Sequence, residues 1–290
     1  AVIDEQHRFG VEQRNALQAE TMPHLLSMTA TPIPRSLALV AFGDQDLSVI
    51  EQMPSGRKPV VTRLASAPER PAAFEAIRDE LRAGRQAFVV YPVIEDSKSG
   101  LKDATSEYER LAKGEFADFR VGLMHGRLKA DEKRSVMERF KAGELDVLVA
   151  TSVIEVGVDV PNATVMVIEE AQQFGLAQLH QFRGRVGRGA DQSYAYLFAG
   201  TITQEDNERL VAMTKSNSGF DLAEVDLRLR GPGDLLGTKQ SGFDVSLAGL
   251  TNPKLLKEAR EAAQAIIEAD PDLRRYPELK QRVLDADVGT

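Results

Sequence analysis

The chain has 290 residues, enough for about two domains. A hydrophobic share of 42% permits buried cores, and no apolar stretch approaches the roughly 18 residues of a membrane span. The absence of cysteine excludes disulfides and thiolate metal sites, and the absence of an export signal leads us to expect a cytoplasmic protein. The net charge of −8 is weak evidence against a nucleic-acid partner, because an acidic protein can still carry a local basic surface.

The first seven residues read AVIDEQH, an apolar strand end followed by two carboxylates. At the end of a parallel strand, Asp4 is a candidate for holding Mg²⁺ through its water shell, and Glu5 for orienting an attacking water. His7 is a candidate sensor of a γ-phosphate. The purely structural interpretation is that the acidic pair begins a solvated turn and that His7 is a surface histidine.

The next strand is predicted at 25–28 and is followed by Thr29 and Thr31. Their hydroxyls are placed to contact Glu5 or His7, although the same residues would serve as a helix cap before Pro32. A third strand is predicted at 47–50. Because two or three strands do not bury a sheet, we expect residues 1–55 to lean on the larger domain, to pair with another copy or to be poorly ordered. A linker to the following domain is predicted at 54–59.

From residue 60 to 198, short apolar runs alternate with amphipathic stretches in β-α-β order, which predicts a parallel sheet covered by helices on both faces. A loop is predicted at 97–100, and the helix ending at Lys141 is predicted to stop at Gly143. The predicted strands are 87–94, 121–124, 145–150, 165–168 and 194–198, and the predicted helices are 72–82, 106–113, 129–141 and 176–185.

Two strand ends of this domain carry candidate phosphate ligands. His125, Gly126 and Arg127 follow the strand 121–124, and Thr151 and Ser152 follow the strand 145–150. Hydroxyls, backbone N–H groups and arginine are the usual donors to nucleic-acid phosphates. The alternative for each segment is an ordinary turn.

After Ser152 the chain reaches Gly157 and Asp159. Glycine permits close approach of the backbone to a ligand, and Asp159 is able to accept from a ribose hydroxyl or to bind an arginine. Again the alternative is a turn without a ligand.

Residues 181–188 read QFRGRVGR, with Gln181 and two arginines, Arg185 and Arg188. The i, i+3 spacing predicts that both arginines share one helical face, with Gly184 and Gly187 leaving room for a phosphate. Two glycines within a helix would each cost about 1 kcal/mol, which favours a functional reason over simple stabilisation of the helix dipole.

Taken together, the motifs resemble those of superfamily 2 helicases: a DExH box at 4–7, a Thr-Ala-Thr motif at 29–31, a G-x-D-x-P motif at 157–161 and a Q-x-x-G-R-x-x-R motif at 181–188. Residues 4–11, 28–35 and 226–242 more closely resemble the RecG family of DNA helicases. The resemblance covers essentially the whole chain and implies a RecA-like α/β motor domain at 56–200, a partial first motor domain at 1–55, and a translocation hairpin, loop and C-terminal helix at 201–290.

For that family, the resemblance implies a monomeric enzyme that couples ATP and Mg²⁺ to translocation on branched double-stranded DNA, such as forks and Holliday junctions. It assigns Mg²⁺ and water to Asp4 and Glu5, and coupling to Thr29 and Thr31. ATP contacts are assigned to Gly157, Asp159, Gln181, Arg185 and Arg188. Arg228, Arg230 and Gln240 match polar positions of the translocation motif, although the two arginines would also suit a solvated face.

No G-x-x-x-x-G-K-[ST] phosphate loop occurs in the sequence. We therefore expect the phosphate cradle and the wedge domain of the family to lie upstream, and the 290 residues not to hydrolyse ATP alone. Two alternatives stay open: a transcription-repair coupling translocase, which the 48 residues after Gly242 disfavour, and, for this polypeptide alone, a DNA- or protein-binding module.

Overall fold

The computed structural model describes residues 1–4, 24–29, 48–50, 56–92, 99–151, 159–200, 202–230 and 253–287. Contacts group its two sheets and the helices up to Leu229 into one compact unit, and the last two helices into a second. None of the helices in these ranges has the length and apolar character needed to cross a bilayer.

A six-stranded, entirely parallel sheet is the centre of the first unit. Its order is β3-β8-β7-β4-β6-β5, so each connection between neighbours is a crossover, as the β-α-β sequence pattern predicted. The strands are β3 (Val61–Ala65), β4 (Gln86–Tyr91), β5 (Val121–Met124), β6 (Val147–Thr151), β7 (Ala163–Ile168) and β8 (Tyr194–Phe198).

Helices cover both faces of this sheet, because successive strand side chains point to opposite sides. Phe88, Leu148 and Met166 lie in one buried cluster with α3 (Ala130–Lys141), α4 (Leu176–Arg183), α5 (Gln204–Lys215) and α6 (Gly219–Arg230). Val89 and Val149, one residue further along their strands, lie in the opposite cluster with α1 (Arg70–Arg82) and α2 (Ser99–Lys113). The result is a three-layer α/β domain.

A separate two-stranded parallel sheet pairs β1 (Val2–Ile3) with β2 (Leu26–Ser27). The second compact unit contains α7 (Pro253–Ala269) and α8 (Pro277–Asp287).

Several predicted boundaries are wrong. Residues 48–50 are not in a strand, and Ile50 is exposed. Helix α2 begins at Ser99 rather than at 106, so Ser99 and Gly100 are helical and not part of a loop. The edge strand β3 was not predicted, because its sequence VTRLA is only half buried and lacks a continuous apolar run. Gly143, by contrast, follows α3 with φ +73°, as predicted.

Candidate functional site

Asp4 and Thr29 lie just beyond the ends of the two paired strands of the small sheet. Ile3 pairs with Ser27 in parallel register, and the backbone N–H of Met28 donates to the carbonyl of Ile3 at 2.7 Å. Both side chains are exposed. The prediction that the two motifs meet at neighbouring strand ends is therefore correct for these residues; Glu5, His7 and Thr31 lie outside the described residues.

Arg185 and Arg188 lie at the amino edge of the large sheet, in a turn formed by residues 184–189 that we call the arginine turn. Gly187 faces Val60, just before β3, and Gly189 faces Pro161, just before β7. Asp159 is at the same edge. Gly157 lies outside the described residues, while Gln181 lies half-buried on α4.

An ion pair joins the two predicted groups at this edge. Nη1 of Arg188 lies 3.5 Å from Oδ1 of Asp159, whose side chain is 62% exposed. Nε of Arg188 also donates to the carbonyl of Gly184 at 3.2 Å. An ion pair so open to water contributes roughly 1 kcal/mol or less, so it orients the guanidinium without sequestering it from a phosphate.

The prediction that Arg185 and Arg188 share a helical face is wrong. Helix α4 ends at Arg183, Gly184 is its C-cap with φ −67°, and Gly187 has φ +74° in the turn beyond. A Cβ on Gly187 would lie 2.8 Å from Cγ2 of Val60. Gly187 is therefore required by the backbone and by close packing, and the space beside it belongs to Val60 rather than to a phosphate.

Arg183 is a functional candidate that the sequence reasoning missed. It is 3% exposed, and its Nη1 donates to the carbonyls of Met213 at 2.9 Å and Ser216 at 2.8 Å, at the C-terminal end of α5. Burial lowers the pKa of Arg183 to about 10, so the side chain stays protonated at neutral pH. Its position seven residues after the buried Leu176, and four after Leu179, was the available signal for its burial.

His180 faces the same region from the preceding turn of α4. Burial lowers its pKa to about 4, and the neighbouring Arg183 charge acts in the same direction. The imidazole is therefore neutral at physiological pH. Together, His180 and Arg183 connect helix α4 to the C-terminal end of α5.

The carboxyl edge of the sheet holds the second predicted group. Met124 pairs with Ala150, so His125 and Thr151 come next on neighbouring strands. Nδ1 of His125 and Oγ1 of Thr151 are buried and have no hydrogen-bond partner in the described part of the chain. Because an unsatisfied buried polar group costs about 1–3 kcal/mol, these two atoms need hydrogen-bond partners from beyond the described residues.

Gly126 and Arg127 are exposed beside this pair, and Nζ of Lys133 donates to the Gly126 carbonyl at 2.8 Å. The prediction that 125–127 follows a strand is confirmed. Ser152 and Gln240 lie outside the described residues. Arg228 is exposed on α6, which buries Leu222 and Leu227, and of Arg230 only the helical backbone is described.

A buried ion pair stabilises another part of the carboxyl edge. Both guanidinium nitrogens of Arg70 at the start of α1 bind the carboxylate of Glu169, which follows β7, and the guanidinium carbon lies 4.4 Å from the centre of the Phe198 ring. Burial raises the pKa of Glu169 although Arg70 opposes the shift. No motif marked this pair in the sequence.

Among the described residues, no cluster of three or more histidine or acidic side chains could hold a metal ion. Asp4, a single carboxylate at a strand end, fits a metal that is held mainly by water and by a ligand. Mg²⁺ is commonly bound in this way, through one or two carboxylates together with substrate phosphates.

Two protein families match different parts of the chain. The helicase conserved C-terminal domain matches residues 72–190, which include β4 to β7 and the arginine turn. The C-terminal part of domain 3 of ATP-dependent DNA helicase RecG matches residues 216–284.

Relatives match nearly the whole chain. It is 51% identical over 287 residues to the ATP-dependent DNA helicase RecG of Synechocystis sp., an alignment that covers 98% of this chain and 34% of the relative. It is 51% identical over 269 residues to the protein of the same name from Thermotoga maritima, covering 91% of this chain and 34% of the relative. The chain thus spans about a third of the length of these curated relatives.

Two solved structures are also similar to this chain. A structure of RecG bound to a three-way DNA junction matches with a TM-score of 0.68 and 47% identity, over 88% of this chain and 33% of that chain. S. cerevisiae Dbp5 bound to RNA and ADP BeF3 matches with a TM-score of 0.51 and 17% identity, over 79% of this chain and 62% of that chain. The second likeness concerns the fold alone.

Proposed function

Because the chain belongs, over the residues that it spans, to the RecG family of ATP-dependent DNA helicases, we propose that it supplies part of an ATP-driven translocase acting on branched double-stranded DNA. The substrates would be stalled forks and Holliday junctions. The match to the RecG domain at 216–284 favours this function over a transcription-repair coupling translocase.

The amino edge of the large sheet would face the triphosphate of ATP. Arg188, with its weak ion pair to Asp159, is able to exchange that carboxylate for a γ-phosphate oxygen, and Arg185 lies in the same turn. Cations in these positions stabilise the charge on the transferred phosphoryl group. Gln181 and Gly157 would contact the nucleotide beside them.

Asp4 would hold Mg²⁺ through water at the end of β1, with Glu5 orienting the attacking water. When bound, Mg²⁺ neutralises charge on the β- and γ-phosphates. Thr29, at the end of the paired strand, with Thr31 and His7, would connect this site to movement of the chain. The position of Asp4 and Thr29 on adjacent parallel strands supports this assignment.

The carboxyl edge would bind DNA. The buried polar atoms of His125 and Thr151, which have no hydrogen-bond partner among the described residues, are suited to a phosphate oxygen, and the exposed Arg127 adds positive charge. Gly126 and Ser152 would offer backbone and hydroxyl donors. Arg228, Arg230 and Gln240 would act on the DNA during translocation.

One observation carries the proposal: among the described residues, the candidate ATP ligands Arg185, Arg188 and Asp159 and the candidate DNA ligands His125 and Thr151 lie at opposite edges of one parallel sheet. The arginine turn packs before β3 and β7, whereas His125 follows β5 and Thr151 is the last residue of β6. A sheet arranged in this way is able to sense the nucleotide at one edge and hold DNA at the other.

The test uses a full-length chimera in which these residues replace the matching third of the Thermotoga maritima relative. Arg188→Ala should lower the rate of ATP hydrolysis by about 10³-fold while leaving ATP binding nearly unchanged, as loss of an arginine finger does. The control is Arg82→Ala, on the exposed surface of α1. Near-normal turnover by Arg188→Ala would refute the role of this arginine.

We further propose that the 290 residues do not turn over ATP alone, since they contain no phosphate-binding loop. By themselves they would act as a DNA-binding module. We propose a cytoplasmic location, where the branched DNA would be found. ATP turnover by this polypeptide, measured with and without branched DNA, tests this point: appreciable hydrolysis would contradict it.

A further inference from the structure

The arginine turn is attached to the segment of chain that enters the large sheet. This lead-in segment, residues 56–60, comes immediately before β3. Nε2 of Gln192, just after the turn, donates to the carbonyl of Pro59 at 2.8 Å. The backbone N–H of Val61 donates to the carbonyl of Ser193 at 2.9 Å.

Ser193 also binds the turn itself. Its side chain is 1% exposed, and its Oγ accepts a hydrogen bond from the backbone N–H of Gly187 at 3.1 Å. That N–H is buried, so losing the acceptor would leave it unsatisfied. Gly187 immediately precedes Arg188 in the chain.

Packing prevents the turn from sliding along the lead-in segment. A Cβ on Gly187 would lie 2.8 Å from Cγ2 of Val60 and 4.0 Å from the carbonyl oxygen of Lys58. Close-packed interiors have low compressibility and transmit strain. A displacement of residues 58–60 towards the turn would therefore press on Gly187, the residue before Arg188.

We infer that Gln192 and Ser193 are positioning residues for Arg188, forming a brace that transmits movement of the lead-in segment to the arginine turn. The inference rests on the proposed function, which places Arg188 against the γ-phosphate. Neither residue contacts ATP in this scheme; each acts through Arg188.

The brace is tested by steady-state ATP hydrolysis in the chimera. Ser193→Ala should lower kcat by about 10- to 100-fold while the KM for ATP changes by less than about twofold, because misplacing a group that acts in the transition state spares ground-state binding. Ser193→Thr keeps the hydroxyl and should recover most of the rate. If Ser193→Ala does not fold, Gln192→Met is the substitute test. It keeps the length of the side chain but removes the N–H donor, and it should also lower kcat.

Thr164→Val is the matched control. Thr164 is 1% exposed and donates to Glu80 of α1 at 3.3 Å, a hydrogen bond that involves neither the arginine turn nor the lead-in segment. The substitution Thr164→Val removes a hydroxyl that is as buried as that of Ser193, and it should leave kcat unchanged. If Ser193→Ala behaves like Thr164→Val in kcat, the brace is overturned.

A double variant separates this inference from the proposed function. In the Arg188→Ala background, Ser193→Ala should cause no further loss of kcat, since its effect passes through Arg188. A further loss equal to that in the parent would overturn the brace alone. Normal turnover by Arg188→Ala itself would overturn the proposed function and the brace together.

Discussion

Two glycines three residues apart in the arginine turn have different backbone conformations. Gly184 has φ −67°, which any residue adopts, and a Cβ there would have its nearest contacts at 3.4 Å. Gly187 has φ +74° and no room for a Cβ beside Val60. The backbone therefore requires glycine at position 187 but not at position 184, and the spacing of residues in the motif does not distinguish the two.

Gly187→Ala should destabilise the protein by about 2 to 4 kcal/mol, from the left-handed backbone and the overlap with Val60. Gly184→Ala should change stability by less than about 0.5 kcal/mol. Urea unfolding of the two variants beside the parent chain checks the difference. Equal losses would mean that the conformation of the turn is not the one described.

His180 makes stability depend on pH. Its pKa is about 4 in the folded protein, against an ordinary value of 6.5, so between these values the unfolded chain binds a proton that the folded chain does not. Stability is therefore lost as the pH falls from 6.5 towards 4, by about 2 to 3 kcal/mol.

The check is urea unfolding of the parent and His180→Gln at pH 7, 5.5 and 4.5. Because other acidic groups also titrate, the informative quantity is the difference between the two stability curves. The variant should lose less stability than the parent over this range. Parallel curves would show that His180 gains its proton equally in both states.

At the scale of elements, most strands of the large sheet were predictable, because their continuous apolar runs are what a sheet buried on both faces requires. Strands β5 and β8 have the predicted bounds, and α3 stops at the glycine expected to end it. Strand β3 was missed because its register depends on pairing with β8, which comes 129 residues later in the chain. Local periodicity contains no information on such a partner.

The extent of helix α4 was mispredicted for a related reason. QFRGRVGR has no proline to end a helix, and the turn after Arg183 is fixed by tertiary contacts of Gly187 and Gly189 with Val60 and Pro161. Asp159 was expected to be able to bind an arginine, and it pairs with Arg188, but from a turn and not from a helical face. Burial of Arg183, which stands between the buried Phe182 and the exposed Gly184, is likewise a property of how α4 packs against α5.

Arg183→Met tests how the two helices are joined. Without the guanidinium, the carbonyls of Met213 and Ser216 lose their donors, and unfolding should require about 1 to 3 kcal/mol less. Arg134→Met on the exposed face of α3 should change stability by less than about 0.5 kcal/mol. Denaturant melts of both variants give the comparison; equal stability would rule out a capping role for Arg183.

At the scale of the whole molecule, the proposed function places ATP at one edge of the large sheet and DNA at the other. The sequence motifs indicated both groups of residues but not that they lie on opposite sides, since that follows from the parallel direction of all six strands. Parallel strands put every strand start at one edge and every strand end at the other. Domain boundaries at 55 and 200 stay predictions.

The most direct test of this separation is ATP turnover by the chimera as a function of the concentration of branched DNA. Arg188→Ala should lower the maximal rate without moving the DNA concentration that gives half of it. Arg127→Ala should raise that DNA concentration while the maximal rate stays close to the parent's. If both variants changed the same parameter, the assignment of ATP and DNA to opposite edges of the sheet would be contradicted.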